Sequence, residues 1–293
     1  MRVLLIGANG QIGWELRRTL SSIGDVVAMD RSACDLSRLN DLSGIIRNAK
    51  PDIIVNAAAY TGVDKAEKEE ELATLVNGTA VGEIAAQARQ LAALFVHYST
   101  DYVFDGTKDC PYTEADPPNP INAYGRSKLA GERAVTQSAA DYLILRTSWV
   151  FAARGHNFLR TILRLARERD ELSIVADQIG APTWARHIAD ATRLIVHRAC
   201  RERVNDKFAS GILNVTAGGA TSWCGFAEAI VNHAMEQGLL RNRPKVRPIA
   251  TSEYPTPAAR PKNSRFAQDG LRKRFGIALP EWQQALVLCM RTL

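Results

Sequence analysis

In the stretch NAYGRSKLAGE, Tyr124 and Lys128 stand four residues apart in what reads as the start of a helix. Four residues is about one helical turn, so both side chains fall on one face. A phenol can give a proton to an oxygen, but an ordinary pKa of about 10 makes it sluggish near neutral pH. A neighbouring ammonium favours the phenolate and lowers that pKa. Taken alone, the pair reads better as a solvated helix face. Its company gives it weight. HYSTDYVFDG ends an apolar run with Ser99, Thr100 and Asp101, which puts a hydroxyl and a carboxylate at a strand end.

A second pattern lies at the N-terminus. IGANGQIG spaces Gly7, Gly10 and Gly13 as G-x-x-G-x-x-G, after a short apolar run and opening a helical pattern that takes in Gln11 and Ile12. Glycines there permit a tight turn and let a pyrophosphate approach backbone N–H groups at a helix N-terminus. Asp30 ends the second apolar run, seventeen residues past Gly13. An acid at that place can bind a ribose 2′-hydroxyl, while the adjoining Arg31 can pair with a 2′-phosphate. Both NADH and NADPH are therefore expected. CDLS places Asp35 and Leu36 near an adenine edge. NAAAYT places Ala58, Ala59, Tyr60 and Thr61 at the carboxyl end of a third strand, where ligands lie in open α/β sheets.

The elements needed to position these residues are legible as alternation. RVLLIG, DVVAMD, PDIIVNAA, ALFVHYST and YLILRTSWV read as strands. Helical stretches lie between them, one running from Lys65 to Leu91 with a break near Asn77-Gly78. Near-continuous apolar strands alternating with helices indicate an α/β fold, a doubly wound parallel sheet of Rossmann type. Residues 1–150 read as the dinucleotide-binding domain. Residues 151–293 read as a smaller, partly interleaved substrate lobe, with helices over NFLRTILRLARERD, RHIADATRLIVHRA and TSWCGFAEAIVNHAMEQG, strands at ELSIV and GILNV, and two final helical segments.

Bulk properties exclude several classes. Hydrophobic content of 46% and charged content of 23% suit a soluble globular protein. No apolar run reaches the roughly 20 residues that span a bilayer. The apolar N-terminus leads into the glycine pattern rather than a cleavage site, so no membrane partner and a cytoplasmic location are expected. The net charge of +6 is densest in RNRPKVRP and AARPKNSRF, without interleaved aromatics, so no nucleic-acid partner is expected. Cys34, Cys110, Cys200, Cys224 and Cys289 are scattered, with no C-x-x-C pair, and the histidines are dispersed. Neither a disulfide framework nor a metal centre is expected.

With PDIIVNAAAYTGVDKAE, LRTSWVF, ADQIGAPT and YPTPAARPKNSR added, these blocks resemble the dTDP-4-dehydrorhamnose reductase family over residues 1–285. That family lies in the extended, nucleotide-sugar-modifying branch of the short-chain dehydrogenase/reductase superfamily. The resemblance implies reduction of the C4 ketone of dTDP-4-dehydrorhamnose to dTDP-L-rhamnose, the donor for bacterial cell-surface polysaccharides. It makes Thr100, Tyr124 and Lys128 the catalytic set, with Tyr124 the proton donor and Lys128 also holding the nicotinamide ribose. Thr100 would orient the substrate oxygen, Asp101 would bind the sugar, and Trp149 would wall it. Arg260 would chelate the diphosphate, although the family usually carries two arginines where this chain has Ala259 and Arg260. Some relatives hold magnesium through glutamates at a dimer interface. Glu15 matches one of these, but Arg186 and Thr292 stand in place of the others, so no metal is implied and a homodimer stays open. The resemblance also admits a 4-ketoreductase of other stereochemistry, such as a 6-deoxytalose-forming enzyme. A non-catalytic regulatory subunit of the methionine adenosyltransferase type shares the fold.

Overall fold

The computed structural model describes all 293 residues. Five strands arise from the first half: β1 (Arg2–Ile6), β2 (Asp25–Met29), β3 (Ile53–Asn56), β4 (Leu94–Thr100) and β5 (Tyr142–Thr147). A sixth, Gly211–Asn214, joins them from the second half, and the order across the sheet is Gly211–Asn214, β5, β4, β3, β1, β2. All five pairings are parallel, so the expected doubly wound parallel sheet is present. β3 and β4 are buried along their whole length, which is why they read as unbroken apolar runs. From β1 the chain moves outward to β2, then crosses back to β3. The carboxyl ends of β1 and β3 therefore diverge and leave a crevice.

Helices cover both faces. Leu16 and Leu20 of helix Gln11–Leu20, with Ile188 and Ile195 of helix Ala185–Val204, pack on Val3, Val55, Val96 and Leu145. On the other face, Leu42, Ile84 and Val135 from helices Leu39–Ala49, Ala80–Gln90 and Ala123–Gln137 pack on Leu4, Ile54, Phe95 and Ile144. A separate core around Phe151, Trp184, Phe226 and Leu286 joins helices Phe158–Glu168, Trp223–Glu236 and Trp282–Met290. No helix is long and apolar enough to cross a membrane.

Two elements differ from the sequence reading. The stretch from Lys65 to Leu91 has its break at Asn77-Gly78, as a π-helical turn, but is divided further toward its start. It is Val63–Ala66, Glu70–Thr74, a π-helical turn at Leu75–Thr79, and Ala80–Gln90. The basic run at Lys245–Ile249 is a strand paired in parallel with Glu171–Val175. Glu171 meets both Lys245 and Arg247, which accounts for the cations there. Pro248 is tolerated because this is an edge strand.

Candidate active site

A cleft of about 980 Å³ runs along the carboxyl edge of β1, β3, β4 and β5. Of the residues expected at the site, all line it except Gly13 and Arg260.

Its floor at one end is the glycine loop. Gly7 has φ +85°, and a Cβ there would lie 2.5 Å from the Ala58 backbone nitrogen. The ends of β1 and β3 thus touch backbone to backbone at the switch point. A Cβ on Gly13 would come within 2.1 Å of the Gly7 carbonyl, so Gly13 seats the helix against the loop from behind. The helix starts at Gln11, capped by Gly10, and no side chain caps its first amides. Free N–H groups at a helix N-terminus attract an anion. Gln11 and Ile12 flank that end, and Ala58 and Ala59 keep the opposite wall low. These features fit a dinucleotide diphosphate.

At the end of β2, Asp30 accepts from Asn9 Nδ2 at 2.9 Å and from the Ser32 amide and hydroxyl. The Ser32 hydroxyl is the main group holding the Asp30 carboxyl below its ordinary range. The exposed Arg31 guanidinium pairs with Asp35 at 3.2 Å. Asp30 and Arg31 remain side by side at the rim, with Leu36 below them. Tyr60 and Thr61 form the wall beyond Ala59. The Tyr60 backbone is pinned there by Asn77, whose Oδ1 accepts from Tyr60 N at 2.8 Å and whose Nδ2 donates to Tyr60 O at 3.0 Å. Nδ2 also donates to Ser127 Oγ at 3.0 Å, and Ser127 donates to the Tyr124 carbonyl at 2.7 Å. The π-helical turn that delivers Asn77 thereby locks the cofactor wall to the helix carrying Tyr124. Sequence reading missed this role, for which the only signal was Asn-Gly inside a helical pattern.

The helix Ala123–Gln137 begins at Asn122, whose side chain accepts from the Gly125 amide at 2.8 Å. That cap fixes the first turn and sets Tyr124 against the end of β4. The phenol is buried, and Tyr102 packs edge-on to it at 5.5 Å. Burial pushes the Tyr124 phenol up to about 12, with a hydrogen bond from the Thr100 side chain opposing. The expected lowering by Lys128 is not seen. Lys128 donates instead to the Tyr98 carbonyl at 2.7 Å and lies 3.2 Å from His97 Nε2. Burial brings Lys128 itself down to about 8.

Four side-chain oxygens on the cleft wall are buried without a partner: Ser99 Oγ, Asp101 Oδ2, Thr147 Oγ1 and Ser148 Oγ. Buried polar atoms normally find partners, so this wall suits a polyhydroxylated ligand. Burial raises the Asp101 carboxyl to about 6, with the Thr100 hydroxyl, which donates to Oδ1 at 3.1 Å, opposing. Thr147 and Ser148 were legible only as the end of an apolar strand. Trp149 follows them with φ +48° and stacks on Trp223 at 3.5 Å. Gly180 lies under the indole, since a Cβ there would be 2.5 Å from the ring. Arg260 is held off the cleft by Asp64, in a two-point pair at 3.0 and 2.9 Å. Glu15 is paired with arginines. Arg186 pairs with it at 3.1 Å and Arg18 at 3.7 Å, a setting that repels a cation.

Comparison with known proteins places this geometry. The chain matches the family model "RmlD substrate binding domain" over residues 1–293. It is 55% identical over 295 residues to the dTDP-4-dehydrorhamnose reductase of Burkholderia thailandensis, covering 100% of this chain and 99% of that one. The Salmonella typhimurium enzyme of the same name is 45% identical, covering 97% of this chain and 95% of that one. Among solved structures, the Bacillus anthracis reductase in complex with NADP superimposes with a TM-score of 0.89 at 35% identity, covering 100% of this chain and 99% of that one.

Proposed function

The chain belongs to the RmlD substrate-binding-domain family, and from that membership we propose an NAD(P)H-dependent reduction of the C4 ketone of dTDP-4-dehydrorhamnose, giving dTDP-L-rhamnose. The observation that carries the reading is the buried hydroxyl pair of Thr100 and Tyr124 at one end of a cleft whose other end is the glycine loop.

A bound NADPH or NADH supplies the hydride. The residues of the chain do the rest. Gly7, Gly10 and the free amides at Gln11 receive the diphosphate, and Asp30 and Arg31 meet the adenosine ribose or its 2′-phosphate. Thr100 and Tyr124 converge on the carbonyl oxygen, and Tyr124 gives it a proton. A donor must carry its proton before turnover, and a phenol raised by burial does so at neutral pH. Lys128, at the inner end of the same helix face, provides the cation next to the nicotinamide ribose. Asp101, Ser99, Thr147 and Ser148 offer the sugar hydroxyls partners, and Trp149 walls its apolar side. Arg260 reaches the diphosphate of the sugar nucleotide by exchanging Asp64 for phosphate. The site of action is the cytoplasm.

The test is NADPH and NADH oxidation on adding dTDP-4-dehydrorhamnose, with the C4 configuration of the product read by NMR. Tyr124→Phe should lower kcat by about 10²–10⁴ with cofactor affinity unchanged. No turnover at any pH would reject the activity. Near-native turnover of the Phe variant would reject Tyr124 as donor.

A further inference from the structure

His97 lies on β4 and is fully buried, the only histidine so placed. It faces across the sheet to Asn56 on β3, its register partner. Its ring bridges two groups. Nδ1 lies 3.3 Å from Asn56 Nδ2, and Nε2 lies 3.2 Å from Lys128 Nζ.

The protons on this bridge can be assigned from the network. Asn56 Oδ1 accepts the Ala58 amide at 3.0 Å, so the amide nitrogen of Asn56 is the atom turned to the ring. That nitrogen only donates, so it requires the Nδ1 lone pair. A neutral imidazole has one lone pair and one N–H. The ring proton is then on Nε2, aimed at Lys128. An ammonium there would meet a donor with a donor. A neutral amine would accept, while still donating to the Tyr98 carbonyl.

We propose that His97, oriented by Asn56, is a positioning residue for Lys128, holding it from inside the sheet by an Nε2–H that prefers the amine form. This rests on the reductase reading. A ring that favours the amine opposes the cation that this reading needs at Lys128, so His97 sets the pH at which that cation is lost. The other charged or titratable groups facing this bridge are few. Glu132 lies one turn further along the Lys128 helix and is clamped by Arg146 of β5. Tyr124 and Asp101 lie on the cleft side. Burial keeps His97 neutral.

Two measurements test this. Histidine-labelled wild-type protein, read by two-bond ¹H–¹⁵N correlation, should show one non-titrating ring protonated at Nε2. Protonation at Nδ1 would overturn the proposal, and this measurement does not depend on activity. The second is the pH profile of kcat for His97→Gln, whose carbonyl oxygen can accept from an ammonium. Its basic limb should move up by about one unit, with NADPH affinity within about threefold of wild type. A lower kcat at every pH with the limb in place would mean that His97 only packs. If the variant does not fold, the ring proton of the wild-type protein decides. Absence of turnover in the wild type would reject the reductase reading and leave the ring proton to decide this one.

Discussion

Arg146 of β5 donates side-on to Glu132, from Nε at 2.8 Å and Nη2 at 2.6 Å, with both side chains buried. The guanidinium also lies 5.0 Å from the Phe104 ring. This pair fixes the helix of Tyr124 and Lys128 to the sheet. Removing one partner leaves a buried charge uncompensated, so Glu132→Ala should cost about 3–5 kcal/mol. Urea unfolding at neutral pH measures it. A loss below about 1 kcal/mol would mean that water reaches the pair.

Gly7→Ala should abolish dinucleotide binding before it abolishes folding. The added methyl would sit 2.5 Å from the Ala58 nitrogen, at a φ of +85° that disfavours any side chain. The mouth of the cleft must open there, so NADPH affinity should fall by more than tenfold by calorimetry. The equivalent change at Gly44, where a Cβ would meet nothing within 4 Å, should leave affinity unchanged.

Asp101 makes stability fall as pH rises. Its folded pKa, about 6, is above the ordinary carboxylate value of 3.8, so between these values the folded state keeps a proton that the unfolded state has lost. The contribution is full below the lower value and is lost as pH passes the upper one, on the order of 1–3 kcal/mol. Asp101→Asn should remove this slope. Urea unfolding of both proteins at pH 4 and 7 checks it, and the variant should gain relative stability at pH 7.

Arg260→Ala should raise KM for the nucleotide sugar about tenfold and leave kcat and NADPH affinity near native. Asp64→Asn removes the competing acid while leaving the guanidinium free, so it should lower that KM. Equal rises in KM for both variants would show that the pair only braces its loops.

The five strands of the first half were legible because each is a short apolar run, and the glycine loop because its constraint is local. The cleft lining followed from strand ends. What was not legible depends on distant partners. Arg260 is turned away by Asp64, 196 positions along the chain. His97 reads as one polar residue in an apolar strand until Asn56 and Lys128 appear on either side of it. The strand Lys245–Ile249 carries two cations and a proline, which hide any strand pattern. The π-helical turn shows in the sequence only as the break at Asn77-Gly78, because its register is set by what Asn77 must reach.

The sixth strand has a consequence for synthesis. β5 leaves the ribosome with one edge open and waits for Gly211–Asn214, while β1 and helix Gln11–Leu20 wait for Ala185–Val204 to cover them. A nascent chain therefore displays an unpaired edge and a bare apolar face through the translation of some seventy residues. At about 5–20 residues per second this lasts several seconds. Such an interval favours chaperone capture, and slowed translation between residues 150 and 214 should show up as aggregation rather than as loss of specific activity.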